Sequence, residues 1–349
     1  MDRTKFDQPD GAGGAVPDDL ATAIPRPWPL AMREAVRDAE ELCRLLQLPE
    51  AHWPSGVRSA ERFPVFAPHE FIRRMKPGDP DDPLLRQVLP TAEEDAEADG
   101  FVSDPLAESA AEIVPGLLQK YEGRALLITT GACAVHCRYC FRRNYPYSQV
   151  PKSLAAWRGA LDAIAADASL REVILSGGDP LTIPDARLAA LAEAIAAIGH
   201  VRRLRIHTRL PIVIPQRVCD DLLAWLTGTR LRPIVVLHAN HPAEIDAAVA
   251  GCVGRLLAAG VVVLNQAVLL RGVNDCPAVL TELCERLVDL GVMPYYLHQL
   301  DRVAGASHFE VPILRGQRLI DHLRARLPGY AVPRYVTETP GDASKRVLS

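Results

Sequence analysis

A chain of 349 residues, 48% of them hydrophobic, can bury one large core or two ordinary ones. Its formal net charge of −4 excludes a global attraction to nucleic acid or anionic lipid. No charged start precedes an apolar run, and no apolar stretch is long enough to cross a bilayer, so a cytoplasmic protein without membrane or nucleic-acid partners is expected.

In chain order, residues 1–19 are rich in Gly, Pro and Asp and are expected to be loosely ordered. Residues 20–119 read as a helical N-terminal extension. Apolar residues recur at helical spacing from Pro27 to about Leu48, a Pro-interrupted stretch follows from Ala67 to Pro90, and "TAEEDAEADG" reads as a solvated connection. After Gln119, short β-branched runs alternate with amphipathic segments. Strands are expected at 124–129, 172–177, 203–208, 233–239, 261–270 and 293–300. Helices are expected around 153–167, 185–199, 216–228, 243–259, 277–290 and 314–327. Six β-α units in series predict an α/β fold with a parallel sheet and right-handed crossovers. A partial (βα)6 barrel over 120–330, with a short tail at 331–349, fits that count; an open doubly wound sheet competes. In either sheet, active groups collect where strands end. The segments "TTGAC", "SGGDP", "HTRLP", "HANHP" and "HQLD" all fall at such ends, which points to an enzyme.

The chain has eight cysteines. Cys43, Cys219, Cys252 and Cys284 sit singly in helical segments, as small buried thiols do. Cys133, Cys137 and Cys140 form a C-x3-C-x2-C run on the loop after the first strand. A closed zinc site wants four ligands, and His136 is a poorly placed fourth. A cubane iron–sulfur cluster needs only these three and keeps one iron open.

This run, in a six-unit partial barrel, resembles the radical S-adenosylmethionine superfamily. The resemblance implies a 4Fe–4S cluster on the three cysteines that binds and reductively cleaves S-adenosylmethionine. Ser176, Gly177, Gly178 and Asp179 match the glycine-rich segment that holds the methionine end of that cofactor. The segments "CRYCFRRNYP", "HTRLPIVIPQRV", "HANHPAEI", "NQAVLLRGVND" and "PYYLHQLD" together resemble lysine 2,3-aminomutases over residues 120–349.

That family also uses pyridoxal phosphate. Lys345, after a P-G turn, matches its Schiff-base lysine; attack on an aldehyde needs the neutral amine, which desolvation favours. Lys120, Tyr121 and Arg124 match its phosphate contacts, although arginine usually stands at the first of these positions. Arg142 matches the arginine for the substrate α-carboxylate, whereas Arg143 reads as structural. Asp301 and Glu338 match two carboxylates for the substrate ε-ammonium, with glutamate replacing aspartate at 338. This pair favours a cationic substrate, L-lysine, over glutamate. Gln266 and Asn265 are expected to contact S-adenosylmethionine or substrate, with hydrogen bonds to buried backbone as the alternative. His238, Asn240 and His241 are candidates for the pyridoxal pocket, with helix capping an equal alternative for Asn240. His298 has no assigned role.

The family's free-lysine members continue past the pyridoxal lysine into a zinc-binding segment, which implies a plain buried thiol for Cys276 here. A chain ending at Ser349, the N-terminal extension and Glu338 resemble the aminomutase that makes (R)-β-lysine for elongation factor P. That role implies a reducing electron donor and a separate ligase. The rival expectations are a free-lysine or other cationic amino-acid aminomutase and a zinc-stabilised binding protein.

Overall fold

The structure is a computed structural model that describes residues 27–54 and 56–349. The loose start expected for residues 1–19 lies outside them. Ten strands form one sheet in simple chain order. They are β1 (Glu112–Val114), β2 (Leu117–Tyr121), β3 (Arg124–Thr130), β4 (Glu172–Gly177), β5 (Arg203–Thr208), β6 (Arg232–His238), β7 (Val262–Val268), β8 (Met293–His298), β9 (Arg334–Thr337) and β10 (Arg346–Val347). From β3 to β9 each strand pairs in parallel with the next. β1 and β2 add antiparallel strands at one end and β10 at the other. The two end strands do not pair with each other, so the barrel is partial and open.

The strands form where the residues demand burial on both faces. All six residues of β4 are buried, and helices cover the outer face. The helix Asp185–Ala196, for example, buries Leu188, Leu191, Ala192 and Ile195, one stripe at helical spacing. The six expected strands and six expected helices are all present, with ends displaced by a few residues.

The ends of the chain depart from expectation. The sheet begins at Glu112, before the expected barrel start at 120, because "EIVPGLLQKY" folds as a hairpin beside β3. The tail adds β9 and β10, so a division at 330 does not divide the sheet. Among the described residues, the α-helices of the extension are short: Trp28–Arg33, Ala39–Leu45, Arg58–Arg62 and His69–Ile72. It is no separate body: Val36, Leu42, Phe71 and Leu85 share one core with Leu127, Val173 and Ile206 of the strands. "TAEEDAEADG" is not a solvated connection either. Thr91 and Glu94 form a capping box, and buried Glu94 pairs with Arg138 at 2.7 Å and Arg143 at 2.9 Å. Cys43, Cys252 and Cys284 are buried, but Cys276 is exposed at the start of the helix Pro277–Asp289 and is not the buried thiol expected.

Candidate active site

The strands enclose a cavity of about 450 Å³, and all the residues named above for the cluster, cofactors and substrate line it except Asn240, His241 and Asn265. It runs the length of the strands. Arg124 and Glu172 open β3 and β4, while Cys133, Cys137 and Cys140 follow the far end of β3. Chemistry is therefore not confined to the strand C-termini.

The cysteine loop is anchored from two sides. On the extension side, His136 N–H donates to the Phe66 carbonyl at 3.0 Å and Arg138 N–H to that of Gln87 at 2.9 Å. The Arg138 guanidinium bonds Glu94 through Nε (2.8 Å) and Nη2 (2.7 Å). On the barrel side, the turn after β4 presses against the loop. Gly178 N–H donates to the Thr130 carbonyl and Asp179 N–H to that of Ala132, both at 2.7 Å. Gly177 has φ +124°, and a Cβ on Gly178 would lie 2.3 Å from the Ala132 oxygen, so no larger residue fits this contact. His136 points elsewhere: its Nδ1 lies 2.8 Å from the Pro64 carbonyl and its ring stacks on Phe63. It is not a fourth ligand.

Among the described residues, no three His, Cys, Asp or Glu side chains converge to hold a single metal ion. A cubane is different, because each thiolate takes its own iron and the sulfurs stand apart around it. Burial pushes the Cys140 thiol up to about 11, with neighbouring Cys137 adding to it, so coordination itself must supply the thiolate.

Asp179 faces the cavity but is spent on structure. Its carboxylate accepts Thr208 Oγ1 (2.8 and 2.9 Å), Arg209 N–H (2.7 Å), Leu181 N–H (3.0 Å) and Leu210 N–H (3.1 Å). It ties β4 to β5 and has no oxygen left for a cofactor, contrary to expectation. Gln266, by contrast, makes no side-chain hydrogen bond among the described residues and faces the cavity.

Arg142 is also partnered. Its Nε and Nη2 form a two-pronged contact with Glu108 at 2.6 and 2.8 Å, leaving Nη1 on Ser176 Oγ at 3.1 Å. The expected fork for a substrate carboxylate is thus filled by the protein, and only Nη1 and Ser176 remain. Glu108 comes from the extension, just after Ala107, a non-glycine residue in left-handed backbone (φ 46°). Burial opposes its charge, yet Arg142 and then Lys120 hold its carboxyl below the usual range. No pattern in the sequence marked it.

Lys120 Nζ lies between Glu108 (3.0 Å) and Glu338 (2.8 Å), so two of its three donors are taken before any phosphate arrives. Glu338 also pairs with Lys345 Nζ. Lys345 therefore shares a carboxylate with Lys120. Burial raises the Glu338 carboxyl, but the two lysines outweigh it and hold it at about 2. Arg142, Glu108, Lys120, Glu338 and Lys345 thus form an unbroken chain of alternating charge. Asp301 stands beside it and, among the described residues, makes no side-chain hydrogen bond. Burial first, then Glu338, push its carboxyl up to about 7.

At the opening ends of the strands some donors are open. Among the described residues, the Tyr121 hydroxyl, which faces Glu338, and Arg205 Nε are buried without a hydrogen-bond partner at bonding distance. The Arg124 guanidinium lies 4.6 Å over the Tyr121 ring and makes no hydrogen bond among the described residues. Arg205, fixed to Glu172 at 2.6 Å, joins the expected Tyr121 and Arg124 as a donor missed because it reads as an ordinary strand residue. Three histidines line the cavity, and burial lowers each below the ordinary imidazole range: His238 and His298 to about 3, His207 well below normal. His238 Nε2 lies 3.0 Å from the Tyr139 hydroxyl. Asn240, His241 and Asn265 do not line the cavity. Asn240 bonds Gln87, Tyr139 and Val268 N–H; His241 caps the turn at Ala243; Asn265 clamps the backbone of Ala239.

A three-cysteine loop after the first parallel strand of a partial barrel, with a glycine turn docked on it, defines a radical S-adenosylmethionine enzyme, and residues 127–224 match the radical SAM superfamily. L-Lysine 2,3-aminomutases are similar over nearly the whole chain. That of Haemophilus influenzae is 43% identical, covering 92% of this chain and 95% of its own. That of Escherichia coli is 44% identical over 94% and 96%. That of Clostridium subterminale is 35% identical over 94% of this chain and 79% of its own. The chain belongs to the L-lysine 2,3-aminomutase family. Membership implies a 4Fe–4S cluster, S-adenosylmethionine and pyridoxal phosphate. The cavity fits them: three separated thiols line one end, and orphaned donors from Tyr121 and Arg205 line the other.

Proposed function

We propose that the protein moves the α-amino group of L-lysine to the neighbouring carbon, giving (R)-β-lysine, and that this product serves the modification of elongation factor P. The observation that carries the reading is one cavity holding the cysteine loop, Lys345 and the carboxylates Asp301 and Glu338 together. When bound, the cluster with S-adenosylmethionine supplies a carbon radical that abstracts unactivated hydrogen, and pyridoxal phosphate supplies an electron sink.

The chain's own residues supply position. Cys133, Cys137 and Cys140 would hold the cluster, with Ser176, Gly177, Gly178 and Gln266 toward S-adenosylmethionine. Lys345 would hold the pyridoxal aldehyde carbon, and Tyr121, Arg124 and Arg205 its phosphate. Glu338, which lies between Lys120 and Lys345, would take the substrate ε-ammonium beside Asp301. The substrate carboxylate then meets Arg142 Nη1 and Ser176 Oγ. Leu106, Val135, Phe141 and Leu300 give the cavity apolar wall that keeps water from the reacting carbons.

Two expected outcomes follow from the charges. Asp301 must be ionised to pair with an ammonium. With its carboxyl at about 7, kcat/KM for lysine should rise as pH increases through about 7 and level off above it. Asp301→Asn should remove that inflection in a pH–rate profile. Glu108→Gln should leave Arg142 without its two-pronged anchor. The KM for lysine should then rise roughly tenfold or more, the scale of one charged hydrogen bond, while cleavage of S-adenosylmethionine continues. Steady-state kinetics alongside deoxyadenosine assays separate the two effects.

Glu338, in place of the family aspartate, supports the elongation-factor role over a free-lysine pool. No described helix is long and apolar enough to cross a membrane, and we place the reaction in the cytoplasm with a low-potential electron donor and a downstream ligase. The test is anaerobic turnover of L-lysine with reconstituted protein, S-adenosylmethionine, pyridoxal phosphate and reductant, the β-lysine being resolved chirally. The (R) product supports the reading, and the (S) product favours a free-lysine aminomutase. Cleavage of S-adenosylmethionine without β-lysine overturns the substrate.

A further inference from the structure

One buried cation touches the cysteine loop directly. Arg209 follows β5, and its Nη1 donates to Cys137 Sγ at 2.8 Å and to the Tyr139 hydroxyl at 2.9 Å. Its Nη2 bonds Gln87 Oε1 at 2.6 Å and Glu244 Oε2 at 2.9 Å. The residue is 6% exposed and Glu244 0%. Both ends are fixed. The Arg209 backbone N–H is held by Asp179 at 2.7 Å, and Glu244 Oε1 accepts Asn240 N–H, His241 N–H and the Gln87 amide. Among the described residues, no side-chain donor of this kind reaches Cys133 or Cys140.

Burying an ion pair is costly, and an apolar pair of equal volume often serves stability as well. The distinctive feature here is the sulfur. A cluster gains one negative charge on reduction, and a cation donating a hydrogen bond to a ligand sulfur favours that state. The carboxylate beyond the cation acts in the opposite sense and keeps the guanidinium aimed. Gln87 places part of this control in the N-terminal extension.

We propose that Arg209 is a positioning residue that raises the reduction potential of the cluster through Cys137, and that Glu244 sets the limit of that rise. The inference rests on the cluster reading above. It is tested on the full chain, reconstituted anaerobically and titrated potentiometrically with electron paramagnetic resonance of the reduced cluster as the readout. The double variant Arg209→Met/Glu244→Gln removes both charges at once, so neither is left buried alone. Its reduction equilibrium should fall tenfold or more, a potential lower by about 59 mV for one electron. Glu244→Gln alone keeps the donor and loses the opposing charge, so its potential should rise.

Iron and sulfide contents equal to wild type with unmoved potentials overturn the inference and leave the cluster reading standing. A fall in potential for Glu244→Gln also overturns it, even where the double variant fails to hold a cluster. Absence of any cluster in the wild-type chain, by iron and sulfide analysis, overturns both.

Discussion

Lys345→Ala is expected to stop amino migration while S-adenosylmethionine is still cleaved. Lys345 lies at the opposite end of an ion chain from Arg142, and none of its contacts touches the cysteine loop. Removing it leaves Cys133, Cys137, Cys140 and the glycine turn unchanged, so reductive cleavage should continue. Turnover to β-lysine should fall by roughly a thousandfold or more, as for loss of a covalent-catalysis nucleophile. Glu338 stays paired with Lys120 at 2.8 Å, so the variant should fold. The measurement is paired: deoxyadenosine and β-lysine from the same anaerobic reaction, with pyridoxal absorbance read on the protein. Migration at the wild-type rate would sink the assignment of Lys345.

The parts legible in the sequence were those governed by local pattern. β4, "EVILSG", is buried on both faces around a short apolar run, Val173 to Leu175, and the helices between strands carry clear stripes. The cysteine spacing is local too. What stayed hidden were partners distant in sequence. Glu94 and Glu108 look like surface acids in an acidic stretch, yet Arg138, Arg143, Arg142 and Lys120 draw both into the interior. Asp179 belonged to the right motif but had its oxygens claimed by Thr208 and the backbone of the next strand end. Arg209 reads as one more arginine until the fold brings Cys137 and Glu244 to it from either side. The short strands β9 and β10 escaped because four and two residues carry no periodicity; their place is set by pairing with β8 and with each other.

Cys137→Ala is expected to abolish cleavage itself, upstream of any lysine chemistry. With three thiolates holding three irons, losing one leaves two protein ligands and exposes a second iron, so the cluster should not survive purification. The loop should persist, because its anchors do not depend on the sulfur: Arg138 to Glu94, His136 N–H to Phe66, and Gly178 N–H to Thr130 all remain. Arg209 keeps Glu244 and Gln87 when it loses Cys137. A folded protein with little iron is therefore the anticipated product, with deoxyadenosine formation down by at least about a thousandfold. Cys252→Ala is the matched control. Cys252 is buried on the helix Ala247–Ala258, its thiol bonded among the described residues to the Pro211 and Val249 carbonyls, and does not line the cavity. Its loss should cost packing and nothing else. Iron, sulfide and deoxyadenosine are measured on both variants. Retention of a full cluster by Cys137→Ala, or its loss from Cys252→Ala alone, would place the cluster on other ligands and remove the ground for reading this cavity as a radical site.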